Sequence, residues 1–150
     1  MTAWTIPAIT FVAAVGLAAC QSNRPPAAAT APADTPLPTA LPADAVQLTG
    51  DQIQTAFSGV REDFVSIDWP GTTASGVWNA DGTMSARWNH GTDGGEVAGD
   101  WYVDGDTRCI RFEQTDGPNP ECTTIYAHGD GYLSVNPDGS LHGYHTNSPL

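Results

Sequence analysis

The sequence predicts an all-β domain: about eight antiparallel strands in a meander, closed or partly open as a small barrel, behind one short N-terminal helix. Three observations predict it. From Val60 to His145 the chain is rich in glycine and aromatic residues, with turn signals at about the eight-to-twelve-residue spacing of sandwiches and barrels. Two segments, Trp78-Asn79-Ala80-Asp81-Gly82-Thr83-Met84 and Val135-Asn136-Pro137-Asp138-Gly139-Ser140-Leu141, repeat the pattern apolar-Asn-x-Asp-Gly-[Thr/Ser]-apolar. Each suits a three-residue hairpin loop, with Asn opening a type I turn and Gly taking the left-handed bulge position. Finally, closing consecutive short-linked strands into a barrel removes exposed edges.

The elements follow in order. Ile6 to Ala19 is uncharged and mostly apolar, the length of a signal-peptide core and short of the roughly 20 residues a spanning helix needs. Residues 1–19 are therefore expected to be a signal peptide. From Cys20 to residue 45 the composition turns to Pro, Ala and Thr, a semi-rigid spacer that reaches on the order of 70 Å at about 3.1 Å per residue. Residues 46–150 form the expected domain. Within it, Leu48-Thr49-Gly50-Asp51-Gln52-Ile53-Gln54-Thr55-Ala56-Phe57 reads as the helix: Thr49 and Gln52 form a capping box, and Ile53, Ala56 and Phe57 share a face.

Candidate strands follow at 60–69, 73–79, 83–89, 96–103, 107–113, 121–127, 131–136 and 140–145. Pairing Asn79 with Thr83 turns Gly76, Trp78, Met84, Ala86 and Trp88 to one face, expected to be the core, and the same register in the second hairpin brings Leu133, Val135, Leu141 and Gly143 together. Asp104-Gly105 and His128-Gly129-Asp130-Gly131 supply further reversals. Cys109 and Cys122 fall on neighbouring strands joined through Gly117-Pro118-Asn119-Pro120, so a disulfide is expected there; it closes a loop of about fourteen residues and contributes roughly 3 kcal/mol.

The charge is one-sided. Seventeen Asp and Glu stand against five Arg and no Lys, for a net −12, and fifteen of the acids and four of the Arg lie from Val46 onward. Such a field opposes nucleic acid and anionic lipid surfaces, leaving cations, a cationic protein or peptide, or no partner beyond water, since acidic excess also simply keeps a domain in solution. The search for chemistry returns little: no Gly-x-Ser-x-Gly elbow, His-Glu-x-x-His or phosphate loop. His142 and His145, three apart, point to opposite faces of a straight strand and could chelate together only if the chain bends there. The Asp-Gly clusters at 81–82, 104–106, 130–131 and 138–139 offer hard oxygen atoms for calcium but not the ligand spacing of an EF-hand. They read as turns. No catalytic residue, metal or cofactor is expected.

Leu17-Ala18-Ala19-Cys20 resembles the lipobox of bacterial lipoproteins. The resemblance implies that Cys20 receives a diacylglycerol, that cleavage falls just before it, and that the new amine is acylated; two or more chains anchor stably where one does not. The segment before the apolar run, Met1 to Thr5, departs from the pattern in having no Lys or Arg. Gln21, where Asp would favour inner-membrane retention, implies outer-membrane sorting. From Leu48 to Gly143, the motifs Gly99-Asp100-Trp101, Cys109-Ile110-Arg111-Phe112, Cys122, Tyr126 and Gly131-Tyr132 resemble a family of small secreted proteobacterial domains of unknown function, which implies architecture and localisation. The chain is also distantly similar to the small-barrel inhibitors of secreted bacterial metalloproteases, which place one disulfide in an eight-stranded barrel; their inhibitory N-terminal segment has no counterpart here.

The first expectation for function is a non-enzymatic, membrane-tethered envelope lipoprotein domain with a protein- or peptide-binding or structural role. The alternative is an inhibitor or small-ligand carrier that uses the barrel mouth, with Trp69, Trp78, Trp88 or Trp101 lining an apolar site, favoured by a visible pocket. An enzyme would require convergent polar side chains with perturbed pKa values.

Overall fold

Glycine-bearing hairpins set the path of the chain. The computed structural model describes residues 36–113 and 119–150; the expected signal peptide, Cys20 and residues 21–35 of the expected spacer lie outside the described residues. Both repeated turns close as their register requires: Asn79 N donates to Thr83 O (2.9 Å) and Asn136 N to Ser140 O (2.8 Å), with Gly82 and Gly139 at φ of 90° and 88°. Gly105 and Gly129, also at positive φ, turn two further hairpins.

Nine strands and one helix result: β1 (Val46–Gln47), α1 (Gly50–Phe57), β2 (Val60–Ser66), β3 (Thr72–Trp78), β4 (Thr83–His90), β5 (Asp93–Asp104), β6 (Thr107–Phe112), β7 (Glu121–His128), β8 (Gly131–Val135) and β9 (Leu141–Pro149). β2 to β9 pair antiparallel in sequence order, and β9 returns to β2, closing an eight-stranded barrel. β1 is a short ninth strand alongside β7 that the sequence pattern does not announce. β5 starts at Asp93 rather than 96: Gly94 and Gly95 continue the ladder opposite Asn89 and Trp88, because a glycine there accommodates the Trp88 indole, only 3.0 Å from where a Cβ would sit. Cys109 and Cys122 are directly opposed on β6 and β7 and form a disulfide.

α1 plugs one end of the barrel. The capping box is made, with Gln52 N donating to the Thr49 hydroxyl and Thr49 N to Gln52 Oε1. Gly50 N donates to Asp106 Oδ1 (2.8 Å) and Asn147 Nδ2 to Ala56 O (2.8 Å), tying both ends of the helix to the strand ends around it. Its apolar face, Ile53 and Phe57, is fully buried among Leu48, Trp78, Met84, Trp101 and Ile125. Burying two such side chains is worth about 1.5–3 kcal/mol each and holds an eight-residue helix too short to persist alone.

The hydrophobic content is split between two sides of the wall. Leu133, Val135 and Leu141 do cluster, as the second hairpin implies, but with Ile67, Tyr126 and Tyr144 and apart from the helix-end core. Gly143, expected with them, is not among them, because β9 carries a bulge. Val135 pairs with Leu141 as the turn requires, but Ser134 pairs with Gly143, so His142 is an extra residue on β9. Alternation therefore breaks after Leu141, and Gly143 lies under the Phe64 ring, where an added Cβ would collide.

Candidate ligand site in the barrel lumen

The end of the barrel opposite α1 opens into a cavity of about 250 Å³. Inward positions of β3 and β4 carry small side chains, Ala74, Gly76 and Ala86, and these leave the space; Phe64, Trp78, Trp88, Ile110 and Phe112 border it. Gly76 is required by the close approach of β4, since a Cβ would lie 2.7 Å from that of Ala86. Trp69, Trp78 and Trp88 line the cavity as expected. Trp101 does not: it packs into the helix-end core and donates its indole N–H to Asn79 O (2.9 Å).

A buried polar cluster lies at the helix-side floor of this apolar space. Arg108 Nη1 donates to Glu62 Oε2 (2.6 Å), and the guanidinium stacks on the rings of Phe57 and Trp78, 4.3 Å from each centroid. The plug helix and the ion pair thus form one layer. His145 places Nδ1 3.2 Å from the same carboxylate oxygen, off the line of a good hydrogen bond, and Nε2 2.7 Å from Ser134 Oγ. Burial alone would raise the Glu62 carboxyl, but the charge and hydrogen bond of Arg108, with the polar His145 ring beside it, outweigh burial and bring the group down to about 2. Burial depresses the His145 imidazole and overcomes the opposing pull of Glu62, so the ring is neutral near pH 7. Next to an ionised carboxylate the neutral ring keeps its proton on Nδ1, and Nε2 accepts from the Ser134 hydroxyl.

The sequence carboxylate, imidazole, hydroxyl has the order of a hydrolytic triad. Its hydroxyl is in the wrong place for attack. Ser134 is fully buried and lies outside the cavity lining, with the Gly143 carbonyl as its other neighbour at 3.4 Å. It orients the imidazole. Among the described residues, Arg108 Nε is buried without a hydrogen-bond partner.

The mouth combines aromatic surface with acid. Trp69, 52% exposed, stacks on His90 (4.5 Å between centroids) beside Trp88, and His90 Nδ1 is 2.7 Å from the buried Thr72 hydroxyl. Glu121, half-buried, has its carboxyl raised by burial. His142 Nδ1 lies 2.8 Å from Asp68 Oδ2. Burial opposes ionisation of Asp68, but hydrogen bonds from His142, Ser66 and Asn136 hold its carboxyl below the usual value.

Several sequence expectations are corrected or sharpened here. His142 and His145 both face the lumen, because the bulge supplies the bend that a straight strand lacks; Phe64 packs on both rings, and no cluster of three metal-ligating side chains is found among the described residues. Asp81 and Asp138 are spent on their own turns, accepting from the backbone N–H and hydroxyl of Thr83 and Ser140. Sequence reasoning missed Glu62 and Arg108. The signal was present: both occupy the inward parity of their strands, with Val60 and Phe64 in one and Ile110 and Phe112 in the other.

No family model, no curated protein and no solved structure matches this chain.

Proposed function

We propose that this protein is a non-enzymatic carrier or binder of a small, largely apolar molecule, held to the cell envelope, at the outer membrane, by lipid on Cys20. One observation carries the ligand reading: the barrel is plugged at one end by α1 and opens at the other into a cavity of about 250 Å³ lined mainly by apolar and aromatic side chains. Concave, mostly apolar sites with a few placed polar groups are where small molecules bind. The open end is reached past Trp69, Trp88 and His90.

The test is binding of the fluorescent, uncharged probe N-phenyl-naphthylamine to the full chain and to the same chain carrying Ala86→Trp, which fills the lumen from β4. A saturable rise in probe emission with the parent and its loss in the variant is expected; equal emission from both would sink the lumen reading.

A protein- or peptide-binding role draws support from a groove of about 470 Å³ lined by Arg61, Ser75, Val77, Arg87, Glu96 and Glu113. The groove includes two of the folded part's four Arg, so it suits a segment of mixed charge better than the cationic partner that the overall charge favours.

A further inference from the structure

Resting on the lumen reading, we infer that the cavity takes an organic ammonium ion: an apolar body seated among the aromatic rings of the barrel, with a single positive charge held at the mouth by Glu121. The position of Glu121 is fixed by register. It opens β7 directly opposite Ile110 of β6, and opposed residues of an antiparallel pair share a face, so its side chain stands on the lumen side with Ile110. Both border the cavity, and Glu121, half-buried, lies one inward step nearer the mouth than Arg108.

The other charges that border the lumen are already answered. Glu62 and Arg108 neutralise each other, the His145 ring is neutral, and His142 faces Asp68 at 2.8 Å. Among the described residues, no Arg or His forms an ion pair with Glu121. Burial raises its carboxyl; His142 pulls the other way, Asp68 adds to the rise, and a cation seated beside the group would lower it again. The rings select the kind of cation. Phe64, Trp69, Trp88 and Phe112 border the same space, and aromatic faces attract ammonium groups most strongly where water is excluded. A metal ion needs several hard oxygen ligands, and among the described residues no group of three metal-ligating side chains forms. An anion would meet Glu121 on a chain of net charge −12, and a neutral molecule would leave the half-buried carboxylate without a partner.

Competition against N-phenyl-naphthylamine tests this at physiological ionic strength, where exposed charges are screened, with three probes of one ring size: naphthylmethylammonium, naphthylmethanol and naphthoate. Only saturable emission from the full chain that a competitor displaces is counted, so partition into the N-terminal apolar run does not enter. Naphthylmethylammonium is expected to compete about tenfold more tightly than the alcohol, with naphthoate the weakest. In Glu121→Gln, which keeps the size and polarity of the side chain and should leave dye binding unchanged, the ammonium and the alcohol should compete alike; the parent comparison stands by itself if that variant takes up no dye. Equal competition by these two in the parent, a preference for naphthoate, or an ammonium preference that survives Glu121→Gln overturns the cation inference and leaves the lumen reading in place. Ammonium that binds in dialysis without displacing the dye sits on the acidic surface and overturns it as well. Failure of the dye to bind the parent saturably overturns both readings.

Discussion

Glu62, Arg108 and His145 show how a few buried atoms set the terms for the whole lumen. A buried ion pair is weak support for stability as a pair, but removing one partner strands the other charge. Arg108→Met is therefore expected to cost about 3–5 kcal/mol in urea unfolding, while adding Glu62→Gln restores most of the loss. Restoration failing would mean that the stacking of Arg108 on Phe57 and Trp78, not its charge, holds the floor. Acid should act on the same residues. The folded-state values of both Glu62 and His145 lie below their unfolded ones, so each contributes stability that is present above its unfolded pKa and is lost as pH falls. Loss begins below about 6.5 through His145 and continues from about 4.5 toward 2 through Glu62, the latter worth on the order of 3 kcal/mol. Thermal melts between pH 7 and 3 should show Tm falling throughout, with a shallower acid limb in the Glu62→Gln, Arg108→Met chain.

At the scale of elements, the strands are joined to their sequence neighbours and so are specified locally, whereas α1 and the bulge depend on distant partners. The turn chemistry at Asn79–Thr83 and Asn136–Ser140 is readable because the side chains that close each turn lie within it. The capping box announces α1 for the same reason. Its role as a plug is not readable, since an amphipathic face tells that a helix packs but not onto which end of a barrel. Nor is the extra residue at His142 marked in the sequence by a glycine bulge signal: Gly143 follows it and reads equally well as a small inward residue. The β6–β7 staple can be tested directly. Cys109→Ala with Cys122→Ala, or reduction, should lower stability by about 3 kcal/mol, read as a shift in denaturant midpoint. No shift would mean that the reduced chain keeps its unfolded state equally restricted.

For the molecule as a whole, closure of the barrel and the proposed tether are separate matters. The tether rests on the lipobox resemblance at Cys20. Grown with radiolabelled palmitate in a Gram-negative host, the parent chain should take up label and fractionate with membranes, and Cys20→Ser should do neither; label absent from both would leave a plain secreted domain. The acidic surface acts at this scale too. Fifteen acids against four Arg from Val46 onward make a field that opposes nucleic acid and anionic lipid, so on the proposed reading a lipid anchor, not surface charge, would have to hold the domain at a membrane.

By itself the sequence determined the all-β class, the number and order of the barrel strands, the helix with its cap, and the Cys109–Cys122 pairing, because each depends on residues adjacent in the chain or across one hairpin. Only the tertiary structure decided that α1 seals one end, that the bulge turns His142 and His145 into one space, and that Glu62, Arg108 and His145 meet. Those residues are 37 or more positions apart. Their meeting is a consequence of β9 returning to β2, and inward parity alone marks which side chains enter the lumen without saying which of them will touch.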